Sequence, residues 1–310
     1  MVLSPILLAV PNVSEGRDPA VIERVAAAFA PRRPAAAQAD AVRLLDVHSD
    51  PDHHRSVYTL TGRAPEIGDA LVSGAAEAQR SVDVVARANG RTDEAGAHPH
   101  VGAIDVIPLV YFDSRARGPA CAEALRVGDR IGQELQIPVF VYGELAAGRP
   151  GATRADFRRG GIDALATRLA AAELRPDFGP ARPHPSAGAA LLAAREPLVA
   201  FNLQLQAPAT LADARRVASL IREGGEHGLP GLRAIGVELR GGVAQVSMNV
   251  ERPLELALFE VVRAVEAHAP VASAELVGLA PRAAFDGFPP ELPMPGFDPA
   301  RHLIENALGS

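Results

Sequence analysis

The fold is decided by the stretch Ala97-His98-Pro99-His100-Val101-Gly102-Ala103-Ile104-Asp105-Val106-Ile107-Pro108-Leu109-Val110. Two histidines separated by a proline lead through a glycine into an apolar run that carries a single acid, Asp105. This pattern predicts a buried strand that is entered from a loop. Because the ordinary pKa of histidine lies near neutrality, a histidine held at such an entrance can accept or donate a proton. His98 is therefore a candidate acid–base residue, whereas the plainer alternative is a histidine that only caps backbone groups.

The bulk composition indicates a cytoplasmic protein with room for two domains. The chain has 310 residues and a formal net charge of −6, and its basic residues are scattered, so nucleic acid is not an expected partner. The lone cysteine, Cys121, cannot form an intrachain disulfide, which suits a reducing compartment. The apolar run 2–10 is broken by Pro5 and lacks a basic leader region, and no run is long enough to span a membrane.

Hydrophobic periodicity predicts the element order of the first half of the chain. Asp18 is expected to cap a helix that begins at Pro19. A long helix is expected over 65–88, followed by the opening stretch as a strand. The order strand, helix, strand, strand, helix, strand is that of the ferredoxin-like unit, and a further helix and strand follow it. The expected ranges are strands 6–10, 41–47, 56–61 and 138–142 and helices 18–30, 65–88, 119–135 and 162–174.

The second half repeats the same order. We expect strand 198–203, a helix capped by Thr210, a hairpin around Gly241-Gly242, a helix over 253–268 and strand 273–277. The predicted fold class is therefore α+β, with two tandem ferredoxin-like (β-α-β-β-α-β) subdomains over 1–178 and 179–310. A cleft is expected where the two halves meet.

Two connecting segments are rich in chemically active residues. The expected hairpin loop 48–55 is dense in ionisable side chains, and the proline-rich segment 176–188 is either an ordered loop or a linker. The loop 12–17, which precedes the first helix, lies where a polar or anionic ligand group is easily bound.

Several enzyme classes find no support in the motifs. The chain lacks a phosphate-binding P-loop, a dinucleotide Gly-x-Gly-x-x-Gly after a strand and a Gly-x-Ser-x-Gly nucleophile turn. Acid–base group transfer and metal chemistry remain. Metal is not expected, because no His-Glu-x-x-His helix or cysteine cluster accompanies the candidate ligands His48, Asp52, His53, His54, His98, His100 and His184.

A set of motifs in a fixed order resembles the glutamate formimidoyltransferase family, which also supplies the first domain of formimidoyltransferase-cyclodeaminase. The resemblance covers almost the whole chain. The motifs that carry it are 10–17 (VPNVSEGR), 44–47 (LLDV), 55–62 (RSVYTLTG), 98–106 (HPHVGAIDV), 176–180 (PDFGP), 200–202 (AFN), 244–249 (AQVSMN) and 275–279 (ELVGL).

The resemblance implies a fold of two ferredoxin-like subdomains and a folate-dependent transferase of histidine degradation and one-carbon metabolism. Its reaction moves the formimino group of N-formimino-L-glutamate to N5 of tetrahydrofolate, the co-substrate. His98 matches the catalytic histidine, where a neutral imidazole takes a proton from N5 and returns one to the departing nitrogen. Homodimerisation is a further implication, and deamination is expected to need another protein.

The resemblance also implies binding residues. The folate-binding stretch corresponds to Gly179, Pro180, Ala181, Arg182, Pro183, His184, Pro185, Ser186, Ala187 and Gly188. Arg55 matches a basic position at which we hypothesise that a fork of donors binds a glutamate carboxylate. Asn12, Asn202, Gln245 and Asn249 match other polar positions, whose amides suit the edge of a pterin but equally suit turns.

The chain departs from the family pattern at four positions. Ala97, His100 and Val101 stand where the family usually has Glu, Arg and Met, and His48 stands in place of an acid. A missing acid beside the catalytic imidazole removes a group that orients it or raises its pKa. Three alternatives therefore stay open: a folate enzyme with another one-carbon donor, a folate or small-anion binding protein without turnover, and a histidine-rich metal-dependent hydrolase.

Overall fold

The computed structural model describes residues 5–30, 41–88, 90 and 98–309. The break expected at 31–39, residues 89 and 91–96 of the expected bridge, and Ala97 lie outside these residues. The chain divides into two compact units, Met1–Arg195 and Glu196–Ser310. This division differs from the expected boundary after residue 178, because Ala190–Arg195 forms an unexpected strand of the first sheet.

The first unit combines one sheet with helices. The elements are β1 Ile6–Ala9, β2 Asn12–Val13, α1 Pro19–Phe29, β3 Arg43–Asp50, β4 Arg55–Arg63, α2 Glu66–Ser81, α3 Val84–Ala88, β5 Ile104–Val110, α4 Ser114–Glu134, β6 Val139–Val141, α5 Arg154–Arg158, α6 Gly161–Ala170 and β7 Ala190–Arg195. The cap predicted for α1 is confirmed, since the Asp18 carboxylate accepts hydrogen bonds from the backbone N–H groups of Ala20 and Val21.

The first sheet has seven strands and mixed direction. β1 and β2 lie between β4 and β5 and are antiparallel to both, and β3 pairs with the other edge of β4. β7 then runs parallel to β5, and β6 runs parallel to β7. The sheet therefore places the N-terminal end of β5 beside β2 and the loop that precedes α1.

Three expected boundaries in this unit are wrong for local reasons. The helix expected over 65–88 ends at Ser81, and Asp83 starts α3 by accepting a hydrogen bond from Ala86 N–H. α4 begins at Ser114 rather than at residue 119, because Asp113 caps its first turn. Strand β3 continues to Asp50, so the ionisable loop shortens to 51–54, where the Asp50 carboxylate accepts from the backbone of Asp52 and His53.

The second unit contains a four-stranded sheet with the strand order β11-β8-β10-β9. All three strand pairings are antiparallel. Its elements are β8 Val199–Leu205, α7 Leu211–Ile221, β9 Leu232–Leu239, β10 Val243–Val250, α8 Leu258–Glu266, β11 Val271–Val277, α9 Pro299–His302 and α10 Ile304–Gly309. The expected order of this half and the Thr210 cap are confirmed. The fold of the chain is mixed α+β.

Each unit has its own apolar core. In the first unit, Val21, Val25 and Phe29 of α1 pack with Ile67 and Leu71 of α2. These residues are spaced four apart, which places them on one face of each helix. Along the described ranges, no helix combines the length and apolarity needed to cross a bilayer.

Candidate active site

Asp105 is turned toward the site by an irregularity in strand pairing. Ile104 lies opposite Val13 and Val106 lies opposite Asn12, so Asp105 is an extra residue on β5. Such a bulge re-aims a side chain. The Asp105 carboxylate is buried, accepts a hydrogen bond from Val101 N–H at 2.9 Å and contacts the guanidinium groups of Arg55 and Arg158.

Arg55 connects three of the residues named from sequence. Its Nε donates to Asn12 Oδ1 at 2.7 Å, and its Nη1 lies 3.6 Å from Asp105 Oδ2. Nη1 also lies 2.6 Å from Nδ1 and 3.0 Å from Nε2 of His98. Asn12, Arg55 and His98 therefore meet in one cluster of the first unit.

The surroundings of His98 favour its neutral form. Burial, the charges of Arg55 and Arg158, and His53 all lower the pKa of the imidazole well below 6.5, although the Pro99 carbonyl opposes them. Burial and Arg158 lower the pKa of Arg55 to about 9, against the effect of Asp105, so Arg55 keeps its charge at neutral pH. At neutral pH the imidazole of His98 is thus uncharged and able to accept a proton.

Removing the charge of Arg55 is expected to raise the pKa of His98. Arg55→Gln takes one cation away from the ring, so the protonated form becomes less costly and the pKa moves up toward 6.5. Arg55→Lys keeps a cation there and is expected to leave the pKa low. Titration of the His98 Cε1 proton by NMR measures both. Equal values in Arg55→Gln and the unchanged protein would contradict the assignment.

The loop between β2 and α1 is held by a buried ion pair that the sequence did not single out. Glu15 accepts hydrogen bonds from Arg17 N–H and Asp18 N–H, and Arg87 donates to its other carboxylate oxygen at 2.6 Å. Arg87 also donates to the Ser14 carbonyl, and Ser14 Oγ donates to the Gly102 carbonyl at 2.7 Å. The pair thus ties α3, which precedes His98 in the chain, to the loop that follows Asn12 and Val13.

The segment expected to bind folate lies against the segment that follows His98. Ala103 N–H donates to the Ala187 carbonyl and Ala189 N–H donates to the Val101 carbonyl, both at 2.9 Å. Ser186 and Ala187 donate backbone hydrogen bonds to His184 Nδ1, so this imidazole supports its own loop. In the same segment Gly179, Ala181, Arg182 and Pro185 are exposed, while Pro180 and Pro183 are half-buried.

Gly102 is needed for this close approach. A Cβ built on it would lie 1.7 Å from the Ala189 carbonyl oxygen. We expect Gly102→Ala to destabilise the fold by about 1–3 kcal/mol, because the backbone must move apart. The matched control is Gly118→Ala, a helical site where the added Cβ meets open space apart from its chain neighbour Pro119, so the loss of stability should be clearly smaller. Thermal unfolding compares them, and equal shifts in both variants would contradict the packing described.

The other amides named from sequence lie on the second sheet. Three amide side chains alternate with the core residues of β8 and β10, so they occupy the face of the second sheet opposite its core. They are Asn202, Gln245 and Asn249. Asn202 is 4 % exposed and donates to Glu275 Oε2 at 2.8 Å, Gln245 is fully buried and Asn249 is half-buried. The structure therefore groups these three with one another.

The candidate metal ligands are dispersed. His98 and His100 precede β5 in an irregular segment, so they do not share a strand face on which they could act together as metal ligands. The His54 Nδ1 atom accepts from Gly16 N–H, and the rings of His53 and His98 are 6.0 Å apart. Within residues 5–30, 41–88, 90 and 98–309, no group of three or more His, Cys, Asp or Glu side chains is arranged to hold a metal ion.

The sequence motifs do not point to Arg158, Arg154 or Tyr142. Arg154 and Arg158 belong to α5, and Tyr142 follows β6. The spacing of Arg154 and Arg158, four residues apart, was the one available signal, since such residues share a helix face. Their connection to Asp105 depends on the bulge, which has no signature in the sequence.

Comparison with known proteins identifies the family of the chain. The family model described as formiminotransferase domain, N-terminal subdomain, matches residues 6–195. The chain belongs to the formiminotransferase family. It is 32% identical over 313 residues to a glutamate formimidoyltransferase of Streptococcus pyogenes serotype M1, with 99% of both chains covered.

Two further members of the formiminotransferase family show how far the likeness extends. A glutamate formimidoyltransferase of Thermoplasma acidophilum is 33% identical, with 93% of both chains covered. A formimidoyltransferase-cyclodeaminase of Sus scrofa is 35% identical over 90% of this chain. The chain spans about half, 51%, of that longer relative. The family identified by its motifs is therefore confirmed.

Proposed function

We propose that this chain transfers the formimino group of N-formimino-L-glutamate to N5 of tetrahydrofolate. Relatives named glutamate formimidoyltransferase, alignable over nearly the whole chain, support this activity. The observation in the molecule that carries it is the neutral His98 imidazole beside Arg55, within a cluster of cations suited to a donor with two carboxylates. The donor therefore has charge partners near a group that can move a proton.

His98 serves as the proton carrier in the proposed reaction. As N5 forms its bond to the formimino carbon, its proton passes to the imidazole. As the bond between that carbon and the glutamate nitrogen breaks, the imidazole returns the proton to this nitrogen. A pKa lowered by burial and by Arg55 keeps the imidazole free to take the first proton.

Folate binding is proposed for the segment Gly179–Gly188. Its hydrogen bonds to the segment after His98 and its exposed residues support this assignment. Asn202, Gln245 and Asn249 are proposed to recognise polar groups of the substrates through the polar sheet face of the second unit. Asn12 is proposed to act through Arg55, to which it is hydrogen-bonded.

We also propose the finer fold class, two ferredoxin-like subdomains. In the second unit, the neighbouring strands β11-β8-β10-β9 are the fourth, first, third and second strands along the chain, and each pair of neighbours is antiparallel. The first unit repeats this order with β5, β1, β4 and β3, and β7 and β6 extend it beyond β5. A cytoplasmic location and a homodimer complete the proposal, the latter testable by analytical ultracentrifugation.

The test is a donor and acceptor panel. Release of L-glutamate and the absorbance change of the folate product are followed with N-formimino-L-glutamate, N-formyl-L-glutamate and buffer, each with and without tetrahydrofolate. We expect turnover only with the formimino donor and tetrahydrofolate together. Stabilisation by tetrahydrofolate without turnover of either donor would contradict the proposal and favour a binding protein. Turnover abolished by chelators would favour a metal hydrolase.

A further inference from the structure

Two buried donor groups near Asp105 lack hydrogen-bond partners among the described residues. They are the Tyr142 hydroxyl and Arg158 Nε. Tyr142 is only 7 % exposed, and the Arg158 side chain is 11 % exposed. A buried donor left without an acceptor costs about 1–3 kcal/mol, so two of them in one region are unusual for a native protein.

Helix α5 brings these groups to one region of the first unit. The rings of Phe157 and Phe140 lie 5.0 Å apart, which seats α5 on β6. One turn earlier, the Arg154 guanidinium lies 5.6 Å from the centroid of the Tyr142 ring. At the end of the helix, Arg158 reaches the Asp105 carboxylate on β5. α5 therefore spans from Tyr142 to the bulge at Asp105.

The charges of this region suit an anion. Arg55 and Arg158 both contact the single carboxylate of Asp105. Arg154 and Tyr142 are close enough to Arg55 to influence its pKa. An O–H and an N–H donor without acceptors, set among guanidinium groups, match a carboxylate better than any neutral group.

We propose that Tyr142 and Arg158, with Arg154 beside them, bind the side-chain carboxylate of the glutamyl donor. The inference rests on the proposed function and identifies the group that selects the donor. Arg55 contacts both His98 and Asp105, and Arg158, which carries one of the two unpartnered donors, contacts the same Asp105 carboxylate. The carboxylate nearer the reacting nitrogen therefore lies toward Arg55, and the more distant one reaches Tyr142.

The first test compares donors that differ in one charge. N-formimino-L-glutamine keeps the shape of N-formimino-L-glutamate but lacks the side-chain charge. Tyr142→Phe should raise the KM for the glutamate donor about tenfold or more, with little change for the glutamine donor or for tetrahydrofolate. The control is Tyr111→Phe, since the buried Tyr111 hydroxyl already donates to Glu144. An equal loss with both donors would overturn the assignment.

The second test does not depend on turnover. Calorimetry with L-glutamate measures binding to the unchanged protein, Tyr142→Phe and Arg158→Lys, which keeps a cation beside Asp105 but removes Nε–H. We expect weaker binding in both variants and no weakening in Tyr111→Phe. If these binding differences are found but the protein has no transferase activity, the carboxylate site is supported and the proposed function is contradicted. Equal affinity in all four proteins would overturn the site, whatever the activity.

Discussion

His98→Ala is expected to lower kcat by about two to four orders of magnitude, the usual contribution of a positioned acid–base group. The imidazole is the uncharged base of this cluster, whereas Arg55 remains charged and the pKa of Asp105 is lowered despite burial, by Arg158 and Arg55. The initial rate of glutamate release at saturating donor and tetrahydrofolate measures the loss.

The control for this variant is His227→Ala. His227 is exposed in the second unit and stacks on His268, and its removal should leave kcat within about twofold. Thermal unfolding of His98→Ala checks that the variant keeps its fold. Turnover of a folded His98→Ala protein at the original rate would remove the histidine from the mechanism.

Breaking the Glu15–Arg87 pair is expected to cause the largest loss of stability. Arg87→Met leaves a carboxylate that is 4 % exposed without its cation, and such losses cost about 3–5 kcal/mol. The pair at Arg115 and Asp113 is the exposed counterpart, so Arg115→Met should leave stability almost unchanged. Urea unfolding measures both variants. Similar midpoints in Arg87→Met and Arg115→Met would contradict the expectation that the buried pair contributes more stability than the exposed pair.

The same carboxylate is expected to make stability depend on pH. Burial raises the pKa of Glu15, but hydrogen bonds from Arg17, Asp18 and Arg87 outweigh it, so the pKa is lowered below 4.5. A group with a lowered folded-state pKa stabilises the fold above pH 4.5 and loses this contribution as pH falls through the folded-state value. Melting temperature against pH should therefore fall less steeply at the acid end in Glu15→Gln than in the unchanged protein.

Much of the fold follows from local patterns in the sequence. Asp18 and Thr210 start helices as their side chains predict, and the repeated element order of the second half is reproduced strand by strand. These features depend on neighbours a few residues away, which is where propensity and capping are informative.

The missed features depend on pairing between distant segments. Ala190–Arg195 holds alanine and leucine without a β-branched residue, yet it becomes a strand between β5 and β6. Burial between two parallel neighbours outweighs its weak strand propensity. In the site, the family resemblance points to His98 and to Arg55 separately, whereas the contact between them and the contact of Asp105 with Arg158 depend on pairing between distant strands.

The most direct test of the account compares two independent measurements on His98. NMR titration of its Cε1 proton gives the pKa of the imidazole in the free enzyme, and the acid limb of kcat/KM gives the pKa of the essential base in that same state. We expect both values to coincide and to lie well below 6.5. An acid limb that stays in place when Arg55→Gln shifts the NMR value would show that His98 is not the essential base.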